Sequence, residues 1–372
     1  MSLAGYRAGT EQRRREDSDL SRTMTKNDKI PPTAALTWRA RAMPTMDDVA
    51  RASGFSQMTV SRAFDSAAPI RRETRERILE VAAAIGYFPN RAASNLASQR
   101  TRTFGIILPT LQDSIYLPFV EGAGRVFEAH RCDYLLQSID YTKGREMHAI
   151  SSLLAHRVEA ILLPSIGHTV ATGRFLRSLP IPLIEVGNLP AKPLKLAVGH
   201  SDHEAGYLAT RRLIEAGRRR IAIICGEFGT TTNARDRFNG YRQAMSDAGL
   251  SVADDRTAQV EHAVDAGLEG LARLMRAKRG FDGLVVAGEI WSAAVLLSLL
   301  KYGRRIPDDI AVVGVGRVEL SPYLPVPLTY VDLPRRETGT RSAELAIALS
   351  QGRKVKARVE KIPVRLVEMA SG

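Results

Sequence analysis

From Phe104 onward the chain alternates two kinds of segment, and this alternation restricts the fold more than any other feature. FGIILP (104–109), DYLLQSI (133–139), EAILLPS (159–165), PLIEVG (182–187), IAIICG (221–226), GLVVAG (283–288) and IAVVGVG (310–316) are short apolar runs of strand length. Between most of them lie helical stretches such as FVEGAGRVFEAH (119–130), EMHAISSLLAH (146–156), EAGYLATRRLIEAG (204–217) and SAAVLLSLLKYG (292–303). A strand covered on both faces reads as an unbroken apolar run, and an intervening helix supplies the crossover that a parallel pair needs. The expected architecture is therefore α/β, with parallel sheets flanked by helices. There are too many strands for one compact half, so two doubly wound lobes are expected. A ligand would sit between them, at the carboxyl ends of the strands.

Residues 45–64, TMDDVARASGFSQMTVSRAF, break that pattern. Thr45 and Asp48 are spaced as a helix cap, and Met46, Val49, Ala50 and Ser53 fall on one helical face. Gly54 supplies a turn and Phe55 staples it to a core. Ser56 is a second cap, after which Thr59, Val60, Ala63 and Phe64 continue a helical pattern. Gln57, Met58, Ser61 and Arg62 are left outward. Gln suits adenine, Arg suits guanine, and Met offers an apolar edge to a thymine methyl. The stretch reads as a helix-turn-helix whose second helix enters a major groove, or else as an ordinary helical hairpin. A third helix is expected over 71–85, with Ile78, Val81, Ala82 and Ile85 inward; Arg71 at its start opposes the helix dipole.

A chain of 372 residues suits two or three domains, and a hydrophobic content of 44% can build large cores. The net charge of +13 favours a polyanionic partner. Its placement is more telling: residues 1–43 carry nine Lys/Arg against five Asp/Glu, and 44–103 carry nine against six. Residues 1–43 are polar and aperiodic and read as a disordered basic extension. It is either an arm that adds non-specific affinity for nucleic acid or a stretch ahead of a true start at Met24 or Met43. Cys132 and Cys225 form no metal or redox spacing. No apolar run is long enough to cross a bilayer and no secretion signal is visible, so a cytoplasmic location is expected.

With IRRETRERILEVAAAIGYFPNRAASNLAS behind it, the stretch from Thr45 resembles the headpiece of the LacI family of bacterial transcriptional regulators. The DVA…G…S…TVSR core, the GY-x-PN turn and Leu96 carry the resemblance, and the Met58–Arg62 run is similar to the gluconate repressor branch. The likeness extends over about 44–372, through IPDDIAVVGVG (306–316) and PLTYVDLPRRETGTRSAELAI (327–347). It implies a helix-turn-helix domain over 44–103 with a hinge helix at 90–98. It also implies a periplasmic-binding-protein-like core over 104–372, with lobe 1 about 104–200 plus 333–352 and lobe 2 about 201–332 plus 353–372. Partners would be a pseudo-palindromic operator on double-stranded DNA, a small effector and a second copy of the chain, with no cofactor and no metal. DNA contacts would come from Thr45, Ser56, Gln57, Met58, Thr59, Ser61, Arg62, Asn90, Arg91, Leu96 and Ala97. Leu96 would wedge between base steps of the minor groove.

By the same match, Ile115, Tyr116, Glu185 and Arg235 would face the effector, with Trp291 a candidate to stack on a sugar ring. Arg235 could instead pair with Asp236, and Trp291 could simply pack. One departure is informative. Many sugar-binding members carry an aspartate after IAVVG, where this chain reads Val315-Gly316-Arg317. Exchange of acid for base fits an anionic effector such as gluconate or a phosphorylated sugar, held by Arg235 and Arg317. A neutral sugar or nucleobase is the alternative. A solute-binding protein for transport would share the core but has no place for residues 45–98. An enzyme reading has little support: His200, Asp202 and His203 lack a third metal ligand at a recognisable spacing, and GEFGTTTNAR lacks the Lys-Ser/Thr of a phosphate loop.

Overall fold

The computed structural model describes residues 43–65, 68–88, 100–111, 114–139, 143–229, 232–277, 280–355 and 357–372. It divides into two compact units, Met1–Arg91 and Ala92–Gly372. The first holds α1 (Met46–Ser53), α2 (Gln57–Phe64) and α3 (Arg72–Ile85). Thr45 and Asp48 form a reciprocal capping box on α1, and Gly54 ends that helix at φ 76°, a backbone state that other residues adopt at a penalty. Val49, Val60, Ala63, Ile78, Ala82 and Tyr87 make the core, with Phe55, Phe64 and Ile85 packed against it. Val81, expected inward, is only half-buried. No side chain caps α3 at Arg71. Arg75 instead ties α3 to the end of α2, donating to the carbonyls of Ala63, Asp65 and Ala68 at 3.3, 2.8 and 3.0 Å.

The second unit holds two six-stranded sheets. The first contains β1 (Thr103–Leu108), β2 (Asp133–Ser138), β3 (Ile161–Pro164), β4 (Leu183–Asn188) and β5 (Leu196–His200). Its helices are α4 (Leu117–Ala129), α5 (Lys143–Ala155) and α6 (Val170–Ser178). The chain then crosses into the second lobe. There α7 (Asp202–Glu215), α8 (Thr232–Asp247), α9 (Val264–Met275) and α10 (Glu289–Lys301) flank β6 (Ile221–Gly226), β7 (Thr257–Val260), β8 (Gly283–Val286), β9 (Ala311–Val315) and β10 (Thr329–Asp332). It returns through α11 (Arg335–Ser350) to β11 (Val359–Lys361) and crosses once more to β12 (Arg365–Val367). The orders are β11-β5-β4-β3-β1-β2 and β12-β10-β9-β8-β6-β7. All the pairs are parallel except β10 with β12. Each sheet has an apolar cluster on both faces, as the unbroken strand runs require.

One expected boundary needs correcting. Residues 353–372 are expected in the second lobe, but Val359–Lys361 pairs in register with Ala197–Gly199 of the first. The segment VEKIPVRLV (359–367) is a single short run. Pro363 cannot donate to a ladder, and it divides the run so that its halves join different sheets.

Helices α7 and α8 approach so closely that a Cβ on Gly206 would strike the Arg237 carbonyl, and one on Gly240 the His203 carbonyl. That contact sets where the side chains of Asp202 and Arg237 lie. Gly240→Ala is therefore expected to lower the core's unfolding free energy by about 1–3 kcal/mol, as overpacking does. Urea titration of wild type and variant measures this, and equal midpoints would show that the close approach is not required.

Candidate functional site

The outward surface of α2 is the first candidate. The local fold commits several of its polar groups. The Ser56 hydroxyl accepts from the Thr59 N–H at 3.2 Å and lies 2.9 Å from the Thr59 hydroxyl, so both residues serve the cap. Thr45 is likewise held by Asp48, its hydroxyl donating to Oδ2 at 2.7 Å. Gln57 Nε2 donates to Asp47 Oδ1 at 3.0 Å and links α2 to α1. Met58, 65% exposed, points outward together with Ser61 and Arg62. Arg62 has no ion-pair or hydrogen-bond partner among the described residues. Asn90, Arg91, Leu96 and Ala97, and the expected hinge 90–98, lie outside the described residues, as does the extension up to residue 42.

The second candidate is the cleft between the lobes. It contains two small connected chambers of about 90 and 50 Å³ and an outer cavity of about 810 Å³. Tyr116, Asn233, Arg237 and Arg335 line both chambers. Arg237 comes from α8 of the second lobe. Its Nε lies 2.5 Å from Asp202 Oδ1, and its Nη1 donates to the Ala287 carbonyl at 3.0 Å. Arg335 opens α11 of the first lobe and forms an ion pair with Glu289, the first residue of α10 in the second. Its guanidinium lies 5.9 Å from the centre of the Tyr116 ring. Asn188, at the end of β4, donates from Nδ2 to Asp236 Oδ2 at 2.6 Å and accepts at Oδ1 from the Asp202 N–H at 3.0 Å. Burial pushes the Glu289 carboxyl above the usual carboxylate range, against the pull of the Arg335 charge. It also holds the buried His200 imidazole down to about 4, overriding the attraction of Asp202.

Several expected effector residues belong elsewhere. Arg235 is exposed, donates to the Phe228 carbonyl at 2.8 Å and lines none of these cavities. Arg237, two positions on, faces the cleft instead. The helical phase was readable: Ala234, Arg237, Tyr241 and Ala244 form one buried stripe of α8, and Arg235 stands off it. Glu185 is buried on the other side of the first sheet. It accepts from the Leu194 N–H at 2.5 Å and lies 3.5 Å from His168 Nε2, whose Nδ1 is 2.6 Å from Glu146. Strand alternation accounts for this, since Ile184 and Val186 take the opposite face. Arg317 lines only the outer cavity, paired with Glu319 at 3.3 Å. Trp291 is 2% exposed, donates to the Ala263 carbonyl at 2.8 Å and presents only part of its ring to the larger chamber. Ile115 and Tyr116 do line the cleft.

Sequence reasoning did not single out Asn188, Asn233, Arg237, Glu289 or Arg335, which line the chambers. Arg335 carried a signal, because a cation at a helix start is opposed by the dipole and calls for a compensating partner. His203 is exposed while His200 and Asp202 are buried, so GHSDH does not converge. Among the described residues, no group of three or more His, Cys, Asp or Glu is placed to hold a metal.

Comparison with known proteins gives two family matches. Residues 45–90 match the bacterial regulatory proteins of the lacI family, and residues 210–371 match the periplasmic binding protein-like domain. The chain is 28% identical over 339 residues to the HTH-type transcriptional regulator GntR of Pseudomonas aeruginosa, covering 90% of this chain and 95% of that one. It is 24% identical over 322 residues to catabolite control protein A of Priestia megaterium, covering 87% and 97%. Among solved structures, a LacI-family regulator from Silicibacter pomeroyi matches with a TM-score of 0.78 at 28% identity, covering 88% of this chain and 99% of that one. A complex of the regulator CelR with cellobiose matches with a TM-score of 0.66 at 26% identity, covering 88% and 100%.

The Glu146–His168–Glu185 cluster makes a prediction about pH. Burial opposes the charged imidazole, but the two carboxylates outweigh it and raise His168 to about 9, from an ordinary value of 6.5. A raised histidine stabilises the fold fully below its unfolded value, and the contribution is lost as pH rises through the folded one. His168→Gln should therefore destabilise the protein most near pH 6, with the deficit shrinking between pH 6.5 and about 9. Thermal melts across that range check this; a deficit that ignores pH would exclude the ion cluster as its source.

Proposed function

The chain belongs to the LacI family of DNA-binding transcriptional regulators, and from that premise we propose that it is a repressor whose grip on a pseudo-palindromic operator is set by a sugar acid held between its lobes. The observation that carries the effector reading is the pair of guanidiniums, Arg237 and Arg335, brought to the same two chambers from opposite lobes. They stand beside the carboxylates of Asp202 and Glu289 and the amide of Asn188. A polyhydroxylated carboxylate matches that mixture. Its acid group accepts charge-assisted bonds from a guanidinium, and its hydroxyls bond the amide of Asn188. A neutral hexose would leave a buried cation without an acid to replace the one it releases. The anionic reading thus rests on Arg237 and Arg335 in place of Arg235 and Arg317.

On the DNA side, Met58, Ser61 and Arg62 are the groups left to read base edges, while Thr45, Ser56, Gln57 and Thr59 brace the helix that presents them. Family precedent and the exposed apolar surface support a homodimer. Leu117 is 61% and Tyr323 82% exposed. A two-fold pair of headpieces then fits a two-fold operator. No helix among the described residues is long and apolar enough to cross a membrane, and the proposed site of action is the cytoplasm. The effector acts by binding one arrangement of the lobes more tightly than another.

Two measurements test this reading. In mobility-shift assays with operator variants, Arg62→Ala should lose about 1–3 kcal/mol at one base position and little elsewhere. A uniform loss over every sequence would make Arg62 a phosphate contact. In calorimetric titration the protein should bind gluconate and not neutral hexoses. Binding of a neutral sugar alone would overturn the acid reading.

A further inference from the structure

The cleft contains a carboxylate of its own at the place where an acidic effector would need one. Glu289 and Arg335 line both the outer cavity and the larger inner chamber, so their ion pair stands as the partition between them. The inner chambers, at about 90 and 50 Å³, are far below the roughly 300 Å³ at which ligand pockets usually begin. The outer cavity, at about 810 Å³, is within the usual range. A six-carbon ligand reaches Arg237 only if the partition opens.

Gly316 is what lets the partition form. It sits just past β9 at φ 93°, and a Cβ there would run into Cγ, Cδ and Oε1 of Glu289. The side chain of Glu289 therefore fills space that any other residue at 316 would occupy. Beyond it, Arg317 and Arg365 line the outer cavity, and among the described residues the ion partner of Arg317 is the exposed Glu319. A displaced Glu289 has cations to move toward.

We propose that Glu289 is an internal surrogate for the effector's acid group: it occupies Arg335 in the empty protein, and an anionic effector binds by taking its place. This rests on the sugar-acid reading above and adds a residue that determines selectivity. Glu289 protects the buried guanidinium when no effector is present and competes with every ligand that arrives. A neutral sugar offers nothing to exchange and is excluded, while a sugar acid replaces one charge-assisted pair by another. Because the pair joins α10 of one lobe to α11 of the other, the exchange also releases one of the ties between the lobes.

The test compares wild type with Glu289→Gln, and with Glu289→Asp, which keeps the charge but is one methylene shorter. Two readouts are taken on the full chain: calorimetric titration with gluconate, and the rate at which phenylglyoxal modifies Arg335, followed by peptide mass spectrometry. If the pair is open in about a tenth of empty molecules, either variant should bind gluconate about tenfold more tightly, since apparent affinity scales with the competent fraction. Arg335 should be labelled faster in both. Gluconate affinity unchanged or weakened, with labelling unchanged, would overturn the surrogate role while leaving the sugar-acid reading intact. Faster labelling with no gluconate binding by any of the proteins would keep the partition and overturn that reading together with the surrogate role that depends on it. If the glutamine variant does not fold, the aspartate variant decides by the same two measurements.

Discussion

Buried charge is the constraint from which the rest of the core follows. Moving an unpaired guanidinium out of water costs several kcal/mol even after relaxation, so Arg237 and Arg335 exist in the cleft only because a carboxylate meets each of them. Those carboxylates come from defined places. Asp202 is the first residue of α7 and Glu289 the first of α10, where the helix dipole favours an acid. The tight seat of α7 on α8 holds Asp202 and Arg237 within reach of each other. The sheets carry these helix starts to the carboxyl ends of their strands, so two doubly wound lobes facing each other bring charged helix ends to one place. The fold and the site are in this sense one arrangement.

Much of this could be read from the chain alone, and the errors have physical reasons. Unbroken apolar runs such as IAIICG and GLVVAG identified the central strands, because only a strand covered on both faces reads that way. The short edge strand β11 was missed, since VEK has no such signature and Pro363 gives no hint of which sheet each half joins. The helix-turn-helix was legible down to its caps, because capping depends on residues three apart. Cleft residues depend on rotation about an axis. An error of two positions on a helix turns a side chain through about 200°, and this separates Arg235, facing water, from Arg237, facing the cleft. On β4 an error of one position does the same, and it put Glu185 on the wrong side of the sheet. Glu289 and Arg335 are 46 residues apart, and no local pattern links them.

The headpiece divides its residues differently from what base-reading preferences alone would indicate. Most polar side chains near the turn hold the two helices in position, and only a few remain to face a partner. Recognition by a short helix requires this. Eight residues form too few backbone bonds to keep α2 rigid, so its cap, the Gln57–Asp47 link and the Arg75 contacts to its last carbonyls supply the stiffness. Replacing a brace such as Gln57 would therefore disturb the whole outward surface of α2, whereas replacing Arg62 removes a single exposed group from it.

The segments that cross between the lobes make the cleft responsive to its contents. Leu333 and Pro334 on one crossing, and Pro363 and Arg365 on another, line the outer cavity. An occupant there touches the chain where the lobes are joined and not only the jaws that close on it. The prolines narrow the backbone freedom of these crossings, which limits the arrangements open to the lobes. Ties such as Asn188–Asp236 and Lys361–Glu204 hold one arrangement from outside the Arg335 site. A ligand that bound every arrangement equally would shift none of them however tightly it bound. A ligand that replaces an interlobe ion pair would not be indifferent, because it removes a tie that holds the arrangement seen here.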